Sequence, residues 1–211
     1  ADALIAARVY DHSTITRLAD VATVPVVNML SDHSHPLQAV ADALTMRQQL
    51  GDLAGQTVAY VGDYNNVARS LAEISARLGM HIRLACPLGF EADDAEIDRI
   101  LLLGAASVEQ GNRPIEMVVG AHAVHTDTWV SMGEEADKEA KRQKFDGFTV
   151  DDAMMDAAGP ESIFMHCLPA YRGFEVAASV IDGPRSVVFQ QGQNRMHAAR
   201  GALAFLMGVE T

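Results

Sequence analysis

The sequence predicts an α/β fold, a parallel sheet with helices on both faces, preceded by the closing part of another unit. Three observations carry this expectation. From residue 57 onward, short apolar runs alternate with stretches whose apolar residues recur at helical spacing, the signature of βαβ units. Prolines stand where helices would open (Pro36, Pro114) and glycines where they would close (Gly51, Gly79). The 211 residues are 49% hydrophobic and 21% charged, enough apolar side chain for a sizeable core.

Taken in order, residues 3–10 have strand character, 14–21 suit a short helix, and 24–29 suit a second strand with Pro25 near its start. A polar loop over 31–36 leads into a helix in which Leu37, Val40, Ala41, Leu44 and Leu50 share a helical period before Gly51 ends it. Then come a strand at 57–61, a helix at 67–78, a strand at 81–85 and a helix at 92–103. A weak strand near Ser107 and a short helical stretch from Pro114 precede a strand within 119–126. The charge-dense stretch 138–144 mixes signs, which suits a solvated helix. A helix at 149–158, a buried strand at 162–165, a strand at 186–189 and a last helix from about 193 to 207 complete the chain.

Composition excludes several classes of function. The net charge of −12 argues against nucleic acid, which is held through basic patches. An anionic ligand must instead be met by a few locally placed arginines. No apolar run approaches a membrane span, and residues 1–10 lack the basic start and long apolar core of a signal peptide. Two cysteines, Cys86 and Cys167, suit a reducing cytoplasm better than a disulfide framework, so a cytoplasmic location is expected. No His/Cys set has structural-zinc spacing, so a metal site is not expected. The chain opens without Met and inside an apolar pattern, as a piece of a longer polypeptide would.

Chemistry-bearing residues gather at the predicted strand ends. The strand at 162–165 runs into His166, Cys167, Leu168 and Pro169, and Pro169 stops it. Ligands of open α/β sheets sit outside the carboxyl ends of strands, so this pair, followed by a turn with Arg172, is a candidate site; the bland alternative is a small buried cysteine. The turn Gly62-Asp63-Tyr64-Asn65-Asn66 lacks the further glycines of a dinucleotide fingerprint. Asn65 suits a helix cap, while Asn66 could aim its amide at a ligand. His35 and Gln38 lie three apart across a helix start and can face one anion-favouring point, or His35 simply caps and Gln38 is exposed. Asp127 could hold an ammonium group or cap a helix, with Trp129 as core. Arg195 is a surface residue or, beside a cysteine at a strand end, a stabiliser of developing negative charge.

Five strings occur in one family's order and approximate spacing: His35-Pro36-x-Gln38, Gly62-Asp63 with Asn65-Asn66, Asp127-x-Trp129-x-Ser131-Met132-Gly133, His166-Cys167-Leu168-Pro169, and Asn194-Arg195-x-His197. Together they resemble ornithine carbamoyltransferase over nearly the whole chain. The resemblance implies transfer of a carbamoyl group from carbamoyl phosphate to the δ-amine of L-ornithine, without cofactor, in a homotrimer or multiple of trimers. Arg8, His35, Gln38, Cys167, Leu168 and Arg195 would meet carbamoyl phosphate. Asn66, Asp127, Ser131, Met132 and Cys167 would meet ornithine, and His35, Cys167 and Arg195 would act on the reacting atoms.

The family's serine-threonine-arginine-threonine-arginine phosphate cradle is not in this sequence, and Glu134 and Gln193 stand where the family often has Gln and Glu. Residues 1–49 are therefore expected to be the end of a carbamoyl-phosphate domain and a linking helix. Residues 50–186 would form the ornithine-binding domain, and 187–211 a last strand and a helix returning to the first domain. The isolated chain is expected to be inactive, and Arg195 is expected to lower the pKa of the Cys167 thiol. Rival readings are a relative acting on putrescine or acylated ornithine, or a non-catalytic amino-acid-binding domain. Asp127 with Ser131-Met132 favours a free α-amino acid.

Overall fold

The computed structural model describes residues 3–129 and 138–209. Two parallel strands come first, β1 (Ile5–Arg8) and β2 (Val26–Leu30), joined by α1 (His12–Val21). The Asp11 carboxylate accepts the Ser13 N–H and so starts α1. Helix α2 (Pro36–Leu50) follows, opened by Pro36 and ended by Gly51, whose φ of 79° favours a residue without Cβ.

The main sheet has five parallel strands: β3 (Thr57–Val61), β4 (His81–Ala85), β5 (Ser107–Gly111), β6 (Ala123–Thr126) and β7 (Ile163–His166). Their spatial order is β5-β4-β3-β6-β7. Between them run α3 (Asn66–Arg77), α4 (Asp94–Leu102), α5 (Pro114–Val118), α6 (Lys138–Lys144) and α7 (Asp152–Ala158); α8 (Ala178–Ile181) and α9 (Val188–Leu206) follow β7. Every residue of β3 is buried, as in a strand covered on both faces. Side chains alternate across the sheet: Val58 and Tyr60 join a core with Leu71, Met80 and Ile100, whereas Ala59 and Val61 join one with Phe145, Met155 and Phe164. Helix α9 packs along α2.

From β3 the chain steps outward through β4 and β5, then returns to the other side of β3 through β6 and β7. The direction therefore reverses between β3 and β6, and the crevice at their carboxyl ends is where such a sheet binds ligands.

Two expectations about secondary structure are corrected. Residues 186–189 are not a strand: Ser186 makes one isolated bridge to Phe164, and α9 already begins at Val188. The buried residues Val188, Gln191, Asn194 and Ala198 follow a helical stripe, two of them polar, which concealed the helix start. The stretch 138–144 is helical, but its Lys141 is buried rather than solvated, with Nζ 2.8 Å from Asp63 Oδ2. The short α8 carried no sequence signal.

Candidate active site

At the β3/β6 crevice lies a cavity of about 1020 Å³. Arg8, His35, Asn66, Asp127, Cys167 and Arg195, expected from six separate stretches, all line it, as does Leu168. Gln38 does not. Ser131 and Met132 lie outside the described residues.

Strand ends β6 and β7 place Asp127 and Cys167 together. The Cys167 thiol donates to Asp127 Oδ1 (2.9 Å), and Asn65 Nδ2 donates to Asp127 Oδ2 (3.1 Å). Asn65 is also the cap of α3, its Oδ1 accepting the N–H groups of Val67 and Ala68. One asparagine thus ties the Asp127 carboxylate to a helix start. Asn66 spends its Nδ2 on the carbonyl of Ser31 (2.7 Å), so its amide oxygen is the end left for a ligand. Trp129 is core, as its apolar bulk suggests, although it also touches the cavity.

The expectation for the thiol is overturned. Burial first, then the Asp127 carboxylate, pushes the Cys167 pKa well above the usual thiol value, and Arg195 offsets this only in part. The thiol stays protonated and acts as a hydrogen-bond donor. Cys86, in the core, is pushed up to about 12, chiefly by burial.

His35 stands at the cap position of α2 without a side-chain capping bond. Its backbone N–H donates to Ser70 Oγ (2.8 Å), and its Nδ1 is buried without a hydrogen-bond partner. Burial, with Arg195 as the next cause, lowers its pKa to about 4, so at neutral pH the imidazole is uncharged and offers one N–H. Gln38 is 1% exposed rather than solvated; Nε2 donates to Asp42 Oδ1 (2.8 Å), leaving Oε1 buried without a partner.

Behind the cavity wall runs a buried polar chain that the sequence did not announce. Gln191 Nε2 donates to Asp42 Oδ1 (2.7 Å) and contacts His125 Nε2 (3.2 Å), while Gln191 Oε1 accepts the backbone N–H of His166 (2.9 Å). His166 Nδ1 accepts the Leu168 N–H (2.9 Å), which leaves its proton on Nε2, 3.3 Å from Glu175 Oε1. This fixes the turn after Cys167, where Leu168 has φ 56°, a left-handed conformation uncommon for a branched side chain. Asp127, His166 and Cys167 bring metal-ligating atom types within 4.8 Å of one another, a grouping that sequence spacing hid. In it the thiol proton and the His166 lone pair are already engaged in the bonds above. Arg172 is drawn away from the site into a two-point pair with Asp182 (2.8 and 2.6 Å).

The chain is similar in sequence and fold to known proteins. The family model described as aspartate/ornithine carbamoyltransferase, Asp/Orn binding domain, matches residues 54–206, and that for the carbamoyl-P binding domain matches residues 1–48. An ornithine carbamoyltransferase of Symbiobacterium thermophilum is 47% identical over 95% of this chain and 66% of its own length. A catabolic one of Halobacterium salinarum is 48% identical over 96% and 67%. The structure of the Pyrococcus furiosus ornithine carbamoyltransferase superimposes with a TM-score of 0.92 at 45% identity, over 99% of this chain and 67% of that one. The chain thus spans about two thirds of the curated relatives it matches. A family model matched over more than half of the chain, and relatives this similar on both counts, establish that the chain belongs to the ornithine carbamoyltransferase family.

Proposed function

We propose that this chain binds L-ornithine and contributes the amine-accepting part of carbamoyl transfer from carbamoyl phosphate to the ornithine δ-nitrogen, giving L-citrulline and phosphate. The observation that carries the reading is the Asp127–Cys167 contact at the crevice, with Arg8, His35 and Arg195 on the same cavity wall. Asp127 offers a carboxylate to the ornithine ammonium, and Asn66 offers its amide oxygen beside it. We assign Ser131 and Met132 to the same subsite on the family's motif alone. Arg8 and Arg195 meet the phosphate and carbonyl oxygens of carbamoyl phosphate, with Cys167 and Leu168 around its amide; Gln38, which does not line the cavity, we assign to that amide on the family's motif alone.

In the transfer, the neutral δ-amine attacks the carbonyl carbon, forming the C–N bond. The C–O bond to phosphate breaks, phosphate leaves with that electron pair, and the proton that the amine gives up ends on the departing phosphate. Negative charge builds on the carbonyl oxygen, where the neutral His35 N–H and the Arg195 guanidinium stabilise it. Holding both reactants in one cavity supplies the rest through proximity. No step runs through a metal or organic cofactor.

We retain the division into residues 1–49, 50–186 and 187–211, now with one helix and no strand among the described residues of the last part; the two family models, which meet between residues 48 and 54, support the first boundary alone. A homotrimer in the cytoplasm is the assembly and place we assign. The phosphate cradle is not among these residues, so we expect the chain alone to form no citrulline at a useful rate; losing one oxyanion donor already costs roughly a hundred- to a thousandfold. The test joins the chain to the preceding segment of the Pyrococcus furiosus relative and assays carbamoylation of ornithine, putrescine and acetylornithine. Citrulline from the joined protein and none from the chain alone is the expected result. Preferential carbamoylation of putrescine or acetylornithine would falsify the assignment.

A further inference from the structure

We infer that Arg142 is a specificity residue that reads the α-carboxylate of the amino-acid ligand. The inference rests on the ornithine reading and names a residue that reading does not use. Helix α6 lines one side of the cavity and is anchored there by the buried Lys141–Asp63 pair. The next residue, Arg142, is exposed and lines the same cavity as Asp127. Its guanidinium lies over the Phe174 ring, 4.7 Å from the centroid. Stacking of this kind holds the planar group by its face and leaves its N–H edges open for a carboxylate. Among the described residues it forms no salt bridge, although the chain carries a net charge of −12 and Asp63, Asp127 and Glu175 share the cavity wall.

An α-amino acid carries opposite charges on one carbon, so its recognition needs an anion and a cation facing one cavity. Asp127 supplies the first. Arg8 and Arg195 belong to the anionic donor's side in our assignment, so among the described arginines and lysines on the cavity wall it is Arg142 that supplies the second, beside the subsite assigned to Asn66, Ser131 and Met132. Putrescine is ornithine without its carboxylate. A guanidinium at this place therefore favours ornithine by a charge-assisted hydrogen bond and disfavours the diamine, whose second ammonium would face a like charge. The geometry thus gives the site a reason to reject the nearest rival substrate.

The test is calorimetric titration of the 211-residue chain, as wild type, Arg142→Gln and Arg142→Lys, with L-ornithine, putrescine and 5-aminopentanoate, which keeps the carboxylate but lacks the α-amine. The side chain is exposed, and circular dichroism checks that each variant keeps its fold. In Arg142→Gln, affinity for ornithine and 5-aminopentanoate should fall roughly tenfold or more, the weight of a hydrogen bond to a charged group. Affinity for putrescine should hold or rise. Arg142→Lys, a charge without the planar fork, should lie between. Unchanged ornithine affinity in Arg142→Gln, or an equal loss for putrescine, overturns this inference while the ornithine reading stands. A wild-type chain that binds neither ligand, or prefers putrescine, overturns both.

Discussion

Replacing Gln191 by Leu should destabilise the fold far more than replacing its neighbour Gln190 by Ala. Gln191 is fully buried and bonds both α2 and the end of β7: its amide N–H reaches Asp42 and its oxygen takes the His166 N–H. Leucine has similar bulk, so packing changes little. What is lost is the acceptor for a buried backbone N–H and one of the donors to a buried carboxylate. Each polar group left unsatisfied costs about 1–3 kcal/mol, so the pair costs about 2–6 kcal/mol. For a domain of this size that corresponds to a melting temperature lower by about 5–20 °C. The neighbouring Gln190 is half-buried, and among the described residues its side chain bonds to the exposed Gln48 and Gln49, so Gln190→Ala, which strands no fully buried group, should cost about 1 kcal/mol or less. Urea and thermal unfolding of both variants measure the difference. A Gln191→Leu variant within about 1 kcal/mol of wild type would show that the network is not what holds α2 to β7.

Other outcomes follow from the same geometry. Folding holds His35 unprotonated down to about pH 4, whereas the unfolded imidazole takes its proton near 6.5. The stability this contributes is therefore complete above pH 6.5 and is lost as pH falls to about 4, by about 3 kcal/mol; His35→Asn should flatten unfolding curves across that window, and an unaltered slope would refute the shift. Glu96 acts in a separate, lower window. Burial opposes its charge, but hydrogen bonds from Arg99 and Tyr64 and the nearby Arg69 hold it at about 2, so its contribution is lost only below about pH 4.5. For the thiols, we expect slow alkylation of both Cys86 and Cys167 at neutral pH, and faster modification of Cys167 alone in Asp127→Asn, because the thiolate is the reactive form; equal rates in the variant would count against the Asp127 contact. Finally, a Cβ on Gly183 would stand 2.3 Å from the Ser179 carbonyl oxygen, so Gly183→Ala should cost about 1–3 kcal/mol in a denaturant titration.

Much of this arrangement was legible in the sequence. Strands β3, β4 and β7 are short apolar runs bounded by turn residues, and Pro36 and Gly51 mark both ends of α2. The wall residues His35, Asn66, Asp127 and Cys167 stood out because each is polar at the end of an apolar run or the start of a helix, whereas Arg195, which lies inside α9, stood out only through its motif. What stayed hidden depends on contacts distant in sequence. Asp42, His125 and Gln191 sit at core-facing positions where polarity normally counts against burial, and only their mutual bonding makes the positions tolerable. The start of α9 was missed for that reason, since two of its core-facing residues are an amide pair, Gln191 and Asn194. The direction of the Cys167 shift was misjudged because an arginine was visible in the motif, whereas the closer Asp127, forty residues away in sequence, was not visible as a neighbour.

On the proposed reading, L-ornithine occupies the crevice at the carboxyl ends of β3, β6 and β7. Backbone amide shift mapping of the 15N-labelled chain during an L-ornithine titration tests it most directly. The account predicts saturable shifts confined to the turn at Asp63–Asn66, to Asp127 and Thr128, and to Cys167 and Leu168, and their loss in Asp127→Asn. Shifts that cluster elsewhere, for instance on α1 or along β5, or no saturable shift at all, would contradict it.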